Sequence, residues 1–162
     1  MTKIKYSFND FIVNAGSKDQ AFYQRLDKLL LDGGYHSKVE EKKSGYAVSY
    51  VNSKKKNTLL NFVTRKKGIL VRIYGDHTEE YMQVFESLPI SMKKEIKKGQ
   101  DCKRMLDEKA CNPKCKMGIN ILLDGEMHGK CRYSALFFLI EPDKYDVIET
   151  IVKHEILIAE KI

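Results

Sequence analysis

Apolar residues recur at helical intervals in three stretches of this chain and alternate in the stretches between. Phe22, Leu26, Leu29 and Leu30 lie on one helical face. Ser17 with Gln20 has capping-box spacing and Gly33-Gly34 supplies a stop, so a helix is predicted over about 18–32. Strands follow. Tyr35 to Glu41 is a weak candidate, Tyr46 to Val51 alternates after Ser44-Gly45, Thr58 to Thr64 is rich in β-formers, and Ile69 to Tyr74 alternates again. Tyr81, Val84, Phe85 and Leu88 restore helical spacing, and Pro89 opens a short helix with Met92 and Ile96 that Gly99 ends. Gly118 to Leu123 and Cys131 to Ile140 read as two strands joined by 124–129, with His128 exposed at the tip. A last helix starts near Pro142 and turns Tyr145, Ile148, Val152 and Ile156 inward.

Strands thus come in local pairs, which argues for an α+β fold: an antiparallel sheet, a meander plus a second hairpin, packed by about four helices. The length of 162 residues suits a single domain, 1–162. A subdivision, if present, would fall at Gly99, giving a helix-plus-meander part (1–99) and a cysteine-containing hairpin-plus-helix part (100–162).

Charge changes this picture in one respect. The net charge of +7 is concentrated at the amino end, where residues 1–75 hold 15 Lys/Arg against 6 Asp/Glu. Such a half is either a solvated lysine-rich surface or the face that meets a polyanion, nucleic acid or an acidic protein. Lys54-Lys55-Lys56 and Arg65-Lys66-Lys67 are its densest groups, but a meander puts their turns at opposite ends. Tyr46, Tyr50, Phe62 and Tyr74 on the same strands can either stack bases or pack the sheet against its helices. No apolar run is long enough to span a bilayer, so no membrane partner is expected. Met1-Thr2-Lys3-Ile4-Lys5-Tyr6 lacks an apolar leader core, which makes a cytoplasmic location the expectation.

All four cysteines, Cys102, Cys111, Cys115 and Cys131, fall within one 30-residue stretch. A reducing compartment disfavours structural disulfides, so the clustering points to metal or thiol chemistry. Zinc takes four thiolates in a tetrahedron, with Cys111 and Cys115 on one turn, Cys131 on the hairpin and Cys102 closing the set. His128 is an alternative ligand. The spacing lacks paired C-x2-C knuckles, and a reversible dithiol (Cys111–Cys115 or Cys102–Cys131) or ordinary buried thiols remain open. It fits neither ferredoxin pattern. Lys103, Arg104, Lys114, Lys116, Lys130 and Arg132 flank the cysteines and can offset or lower the charge cost of thiolates.

Catalytic signals are sparse. Asp76-His77 follows a predicted strand and can present an imidazole base, or Asp76 can cap the next helix. His36 and His154 read as surface or packing residues, and Glu40-Glu41 and Glu79-Glu80 as solvated acids. No phosphate loop, dinucleotide fingerprint, nucleophile elbow or H-E-x-x-H occurs.

Ser44-Gly45-Tyr46, the run 65–74 (RKKGILVRIY), Cys111-Asn112-Pro113-Lys114-Cys115 and the run 130–135 (KCRYSA) resemble a small uncharacterised bacterial family from about Phe22 onward. The resemblance implies no activity. The leading expectation is therefore a non-enzymatic binding domain with a structural zinc site. A thiol redox protein is the first alternative, and a small-ligand protein or enzyme working at Asp76-His77 the second.

Overall fold

The computed structural model describes residues 4–116 and 118–162. Met1-Thr2-Lys3, part of the segment read for a leader, lies outside them. The fold is α+β, with a five-stranded antiparallel sheet, a two-stranded hairpin and six α-helices among the described residues. None of these helices is long and apolar enough to cross a membrane. The chain forms two compact units: residues 1–73 with 139–145, and residues 74–138 with 146–162. Gly99 lies inside the second unit, so the units part after Ile73 and not at that glycine.

The first unit starts with α1 (Phe8–Ala15), which the sequence reading missed. Its signal is a capping box, in which the Ser7 hydroxyl and the Asp10 carboxylate each accept the other residue's backbone N–H. Helix α2 (Gln20–Asp32) follows. Ser17 is not its cap; Asp19 holds that position in the left-handed region, without a side-chain cap bond. The meander is β1 (Tyr35–Lys42), β2 (Gly45–Asn52), β3 (Thr58–Arg65) and β4 (Gly68–Ile73), paired in that order. Phe11, Tyr23 and Phe62 meet edge to face or stacked, with ring centroids 5.3–5.4 Å apart, which joins both helices to the sheet. Tyr50 and Phe62 are fully buried in this core. They pack the sheet and are closed to nucleic-acid bases.

The second unit carries a 3-10 turn at Thr78–Tyr81, then α3 (Met82–Glu86), α4 (Ile90–Lys98) and the short α5 (Lys103–Leu106). Its hairpin pairs β5 (Ile119–Leu123) with β6 (Glu126–Lys130). Sequence reading placed the second strand too late. Asp124 and Gly125 both take positive φ (50° and 82°), so a two-residue Asp-Gly turn closes the hairpin and 126–129 are strand. Cys131 instead opens a turn, its carbonyl accepting from Ser134 N and Ala135 N. β7 (Leu136–Leu139) joins the five-stranded sheet at the β4 edge, where the chain passes back to the first unit. A 3-10 turn at Pro142–Lys144 leads into α6 (Tyr145–Lys161).

Candidate functional site

The second unit brings all four cysteines to the wall of one cavity of about 90 Å³, together with Asp101, Arg104, Gly118 and Arg132. Backbone pairing explains half of this. Asp101 bridges Lys130, Cys102 N donates to Gly129 O at 3.1 Å, and Cys131 N donates to Gln100 O at 2.7 Å. Cys102 and Cys131 therefore each follow one residue of a single antiparallel bridge, Asp101 with Lys130. Gly118 closes against them, its N–H donating to Cys102 Sγ at 3.1 Å. A Cβ on Gly118 would lie 2.2 Å from Lys130 O and 2.5 Å from Cys102 Cβ, so glycine is required at this approach.

Cys111 and Cys115 come from an exposed turn. Cys115 N donates to Asn112 O, the Asn112 side chain accepts from Lys114 N, and Cys111 takes a positive φ of 67°. The Arg104 guanidinium donates to the carbonyls of Asn112 and Cys115, tying the turn to α5. All four thiols are free. Among the described residues no three His, Cys, Asp or Glu side chains are placed to hold a metal ion.

The two cations that flank Cys131 hold partners of their own. Lys130, buried, donates to Lys97 O, Gly99 O and Asp101 Oδ1 at 2.8–3.0 Å, which places a cation on the carboxyl end of α4. Arg132 forms an ion pair with Asp76. Arg132 nonetheless lines the cysteine cavity, as do Lys103 and Arg104. His128 is not at a tip; it lies in β6 opposite Ile121 and is absent from the cysteine cavity wall.

A second cavity, of about 360 Å³, opens beside the first and shares Gly118 and Arg132 with it. His77, Asp76, Glu79 and Asn120 also line it. Asp76 neither caps a helix nor orients the imidazole. That role belongs to Glu155, 2% exposed on α6, whose carboxylate accepts from His77 Nδ1 (2.8 Å), His77 N (2.9 Å) and the Tyr81 hydroxyl (2.6 Å). Burial, then the Glu155 charge and hydrogen bond, push the Tyr81 phenol far above its ordinary pKa. Burial holds the Arg132 guanidinium below its usual value, with the Glu155 charge opposing. Sequence reasoning missed Glu155. The signal was an acid at an inward position of α6, in register with Ile148, Ile151 and Val152.

In the first unit, the turns carrying Lys54-Lys55-Lys56 and Arg65-Lys66-Lys67 do fall at opposite ends of β3. The register adds what was missed: Lys42 pairs with Gly45, and Arg65 with Gly68, on the same side of the meander. Lys42 and Lys43 thereby join Arg65, Lys66 and Lys67 at one exposed end. His36 bonds the Ser53 hydroxyl, and His154 stacks on Tyr81, in keeping with the packing roles expected of them. No family model, curated protein or solved structure matches this chain.

Proposed function

We propose that this protein is a binding domain whose second unit is held by a structural zinc ion on Cys102, Cys111, Cys115 and Cys131. The observation that supports this reading is that four residues spread over 30 positions line one 90 Å³ cavity. Cys102 and Cys131 would form the first pair, since each directly follows one residue of the Asp101–Lys130 bridge. The 111–115 turn supplies the second pair and closes onto the metal. Zinc serves here by drawing four thiolates together, and it needs no redox step to do so. N–H donation to a sulfur, as Gly118 makes to Cys102, is the kind of support that steadies a thiolate ligand.

Binding itself falls to the first unit, which carries a net +8 against −1 for the second. Nucleic acid or an acidic protein would meet the end formed by Lys42, Lys43, Arg65, Lys66 and Lys67. Plasma mass spectrometry on protein purified under reducing conditions tests the metal, combined with thiol counts before and after unfolding. About one zinc per chain with thiols masked until unfolding is expected, and Cys111→Ser should release the metal and destabilise the carboxy-terminal half. Four reactive thiols without metal would overturn the zinc reading. Reversible disulfide formation under mild peroxide would then favour a thiol redox protein.

A further inference from the structure

We propose that the 360 Å³ cavity is a second site, in which His77 exchanges a proton with a small polar ligand through Nε2. This does not depend on the zinc reading. The geometry starts from Glu155. Three donors converge on this carboxylate, two of them from His77 and one from Tyr81. Of the His77 ring nitrogens it is Nδ1 that meets the carboxylate, which leaves Nε2 as the nitrogen open to a ligand. Nε2 has no partner within the described protein, and His77 lines an open cavity with its side chain 24% exposed.

A packing network has no need of such an opening. A buried carboxylate is costly unless hydrogen-bonded, and a network of buried titratable groups that opens on a cleft marks a candidate functional site. Here the base of the network is dry and its tip is wet, which is the arrangement that orients a catalytic imidazole.

The walls indicate what enters. Asp76 and Arg132 neutralise one another. Asn120 is tied on two sides, its side chain donating to Glu79 at 2.9 Å and its carbonyl accepting from Thr78 at 3.0 Å. Glu79 and Glu80 add negative charge at the rim. A ligand with a hydroxyl or ammonium group fits this combination, at the small end of ligand-pocket volumes. In the step, Nε2 takes a proton from that group and the ring becomes imidazolium. Ionised Glu155 balances the new charge, and the same nitrogen later returns the proton.

The probe is diethyl pyrocarbonate on the whole protein. Nε2 attacks its carbonyl, forming carbethoxy-imidazole and releasing ethanol and carbon dioxide. Peptide mapping gives a rate for each histidine, and His36, bonded to Ser53, is the internal reference. His77 should react about tenfold faster than His36, and Glu155→Gln should remove most of that excess while leaving His36 unchanged. The wild-type comparison needs no variant to fold. A His77 no faster than His36 would overturn the proposal, and so would a folded Glu155→Gln protein in which His77 keeps its full excess.

Discussion

Lys130→Met tests the physical link between fold and site most directly. The substitution keeps the apolar stem and removes the ammonium. Three hydrogen bonds go with it: to Lys97 O (2.9 Å), Gly99 O (3.0 Å) and Asp101 Oδ1 (2.8 Å). The two carbonyls are the expensive part. Both end α4, where backbone acceptors have no helical partner, and each loses a charged donor worth about 1.5–3 kcal/mol. Relief of the desolvation cost of a buried ammonium returns part of this. A net loss of about 2–4 kcal/mol follows, or roughly 30- to 1,000-fold faster amide exchange where global opening dominates. The amides to follow are Cys102 N and Cys131 N, whose bonds to Gly129 O and Gln100 O frame the cysteine cavity. Asp101 is the control, since its side chain is 73% exposed and its ion pair is screened. Asp101→Asn should speed exchange far less. Lys130 holds the Asp101 carboxyl below its ordinary pKa, first by hydrogen bond and then by charge. That contribution is present above the ordinary carboxylate pKa and disappears as pH falls through the lowered value. In Lys130→Met the Asp101 titration should move back up. Equal exchange rates in the two variants, or a loss below about 1 kcal/mol in Lys130→Met, would refute the assignment to the α4 carbonyls.

Gly118→Ala should cost about 1–3 kcal/mol in thermal unfolding, because the added Cβ meets Lys130 O at 2.2 Å, and it should lower zinc retention if the proposed zinc is bound; unchanged stability would show that the close approach tolerates a side chain. Reversing Lys43, Lys66 and Lys67 to Glu should weaken binding to a generic polyanion such as heparin and flatten its salt dependence by a slope of about 2–3, whereas reversal at Lys54, Lys55 and Lys56 should do less. Equal losses at the two ends would return the charge to a diffuse role.

What was legible in the sequence was local. Hairpin β3–β4 is set by alternating residues around Lys66-Lys67, and α6 by Ile148, Val152 and Ile156, so the hairpin's bounds and the helix's start are legible to within about three residues. The cysteines could be grouped because the bridge between 101 and 130 spans only a short stretch of chain. Strand β6 was misplaced because Glu126, Met127 and His128 have no apolar alternation, while Asp124-Gly125, a strong two-residue turn signal, was read as part of a longer loop. Helix α1 was passed over although Ser7 and Asp10 cap it, since Phe11 and Ile12 are its only buried residues. Glu155 and His77 are 78 positions apart, and only tertiary packing joins them.

Arg132 joins the walls of the two cavities. It follows Cys131 directly, lines both cavities and pairs with Asp76, the neighbour of His77. Its backbone is set by Cys131 N on Gln100 O and by the turn that Ser134 and Ala135 close on Cys131 O. A metal on Cys131, as proposed above, would fix that turn further. Removing it should loosen the turn, free Arg132 to leave Asp76, and change the wall that His77 faces. Chelation should therefore alter the diethyl pyrocarbonate rate at His77 by about two- to tenfold while His36, in the other unit, keeps its own rate. Arg132→Gln should give the same change without chelation, and chelation should then add nothing further. If chelation changes His77 as strongly in Arg132→Gln as in the wild type, the coupling runs through some other contact. If it changes neither protein, the two cavities are independent sites that happen to share a wall.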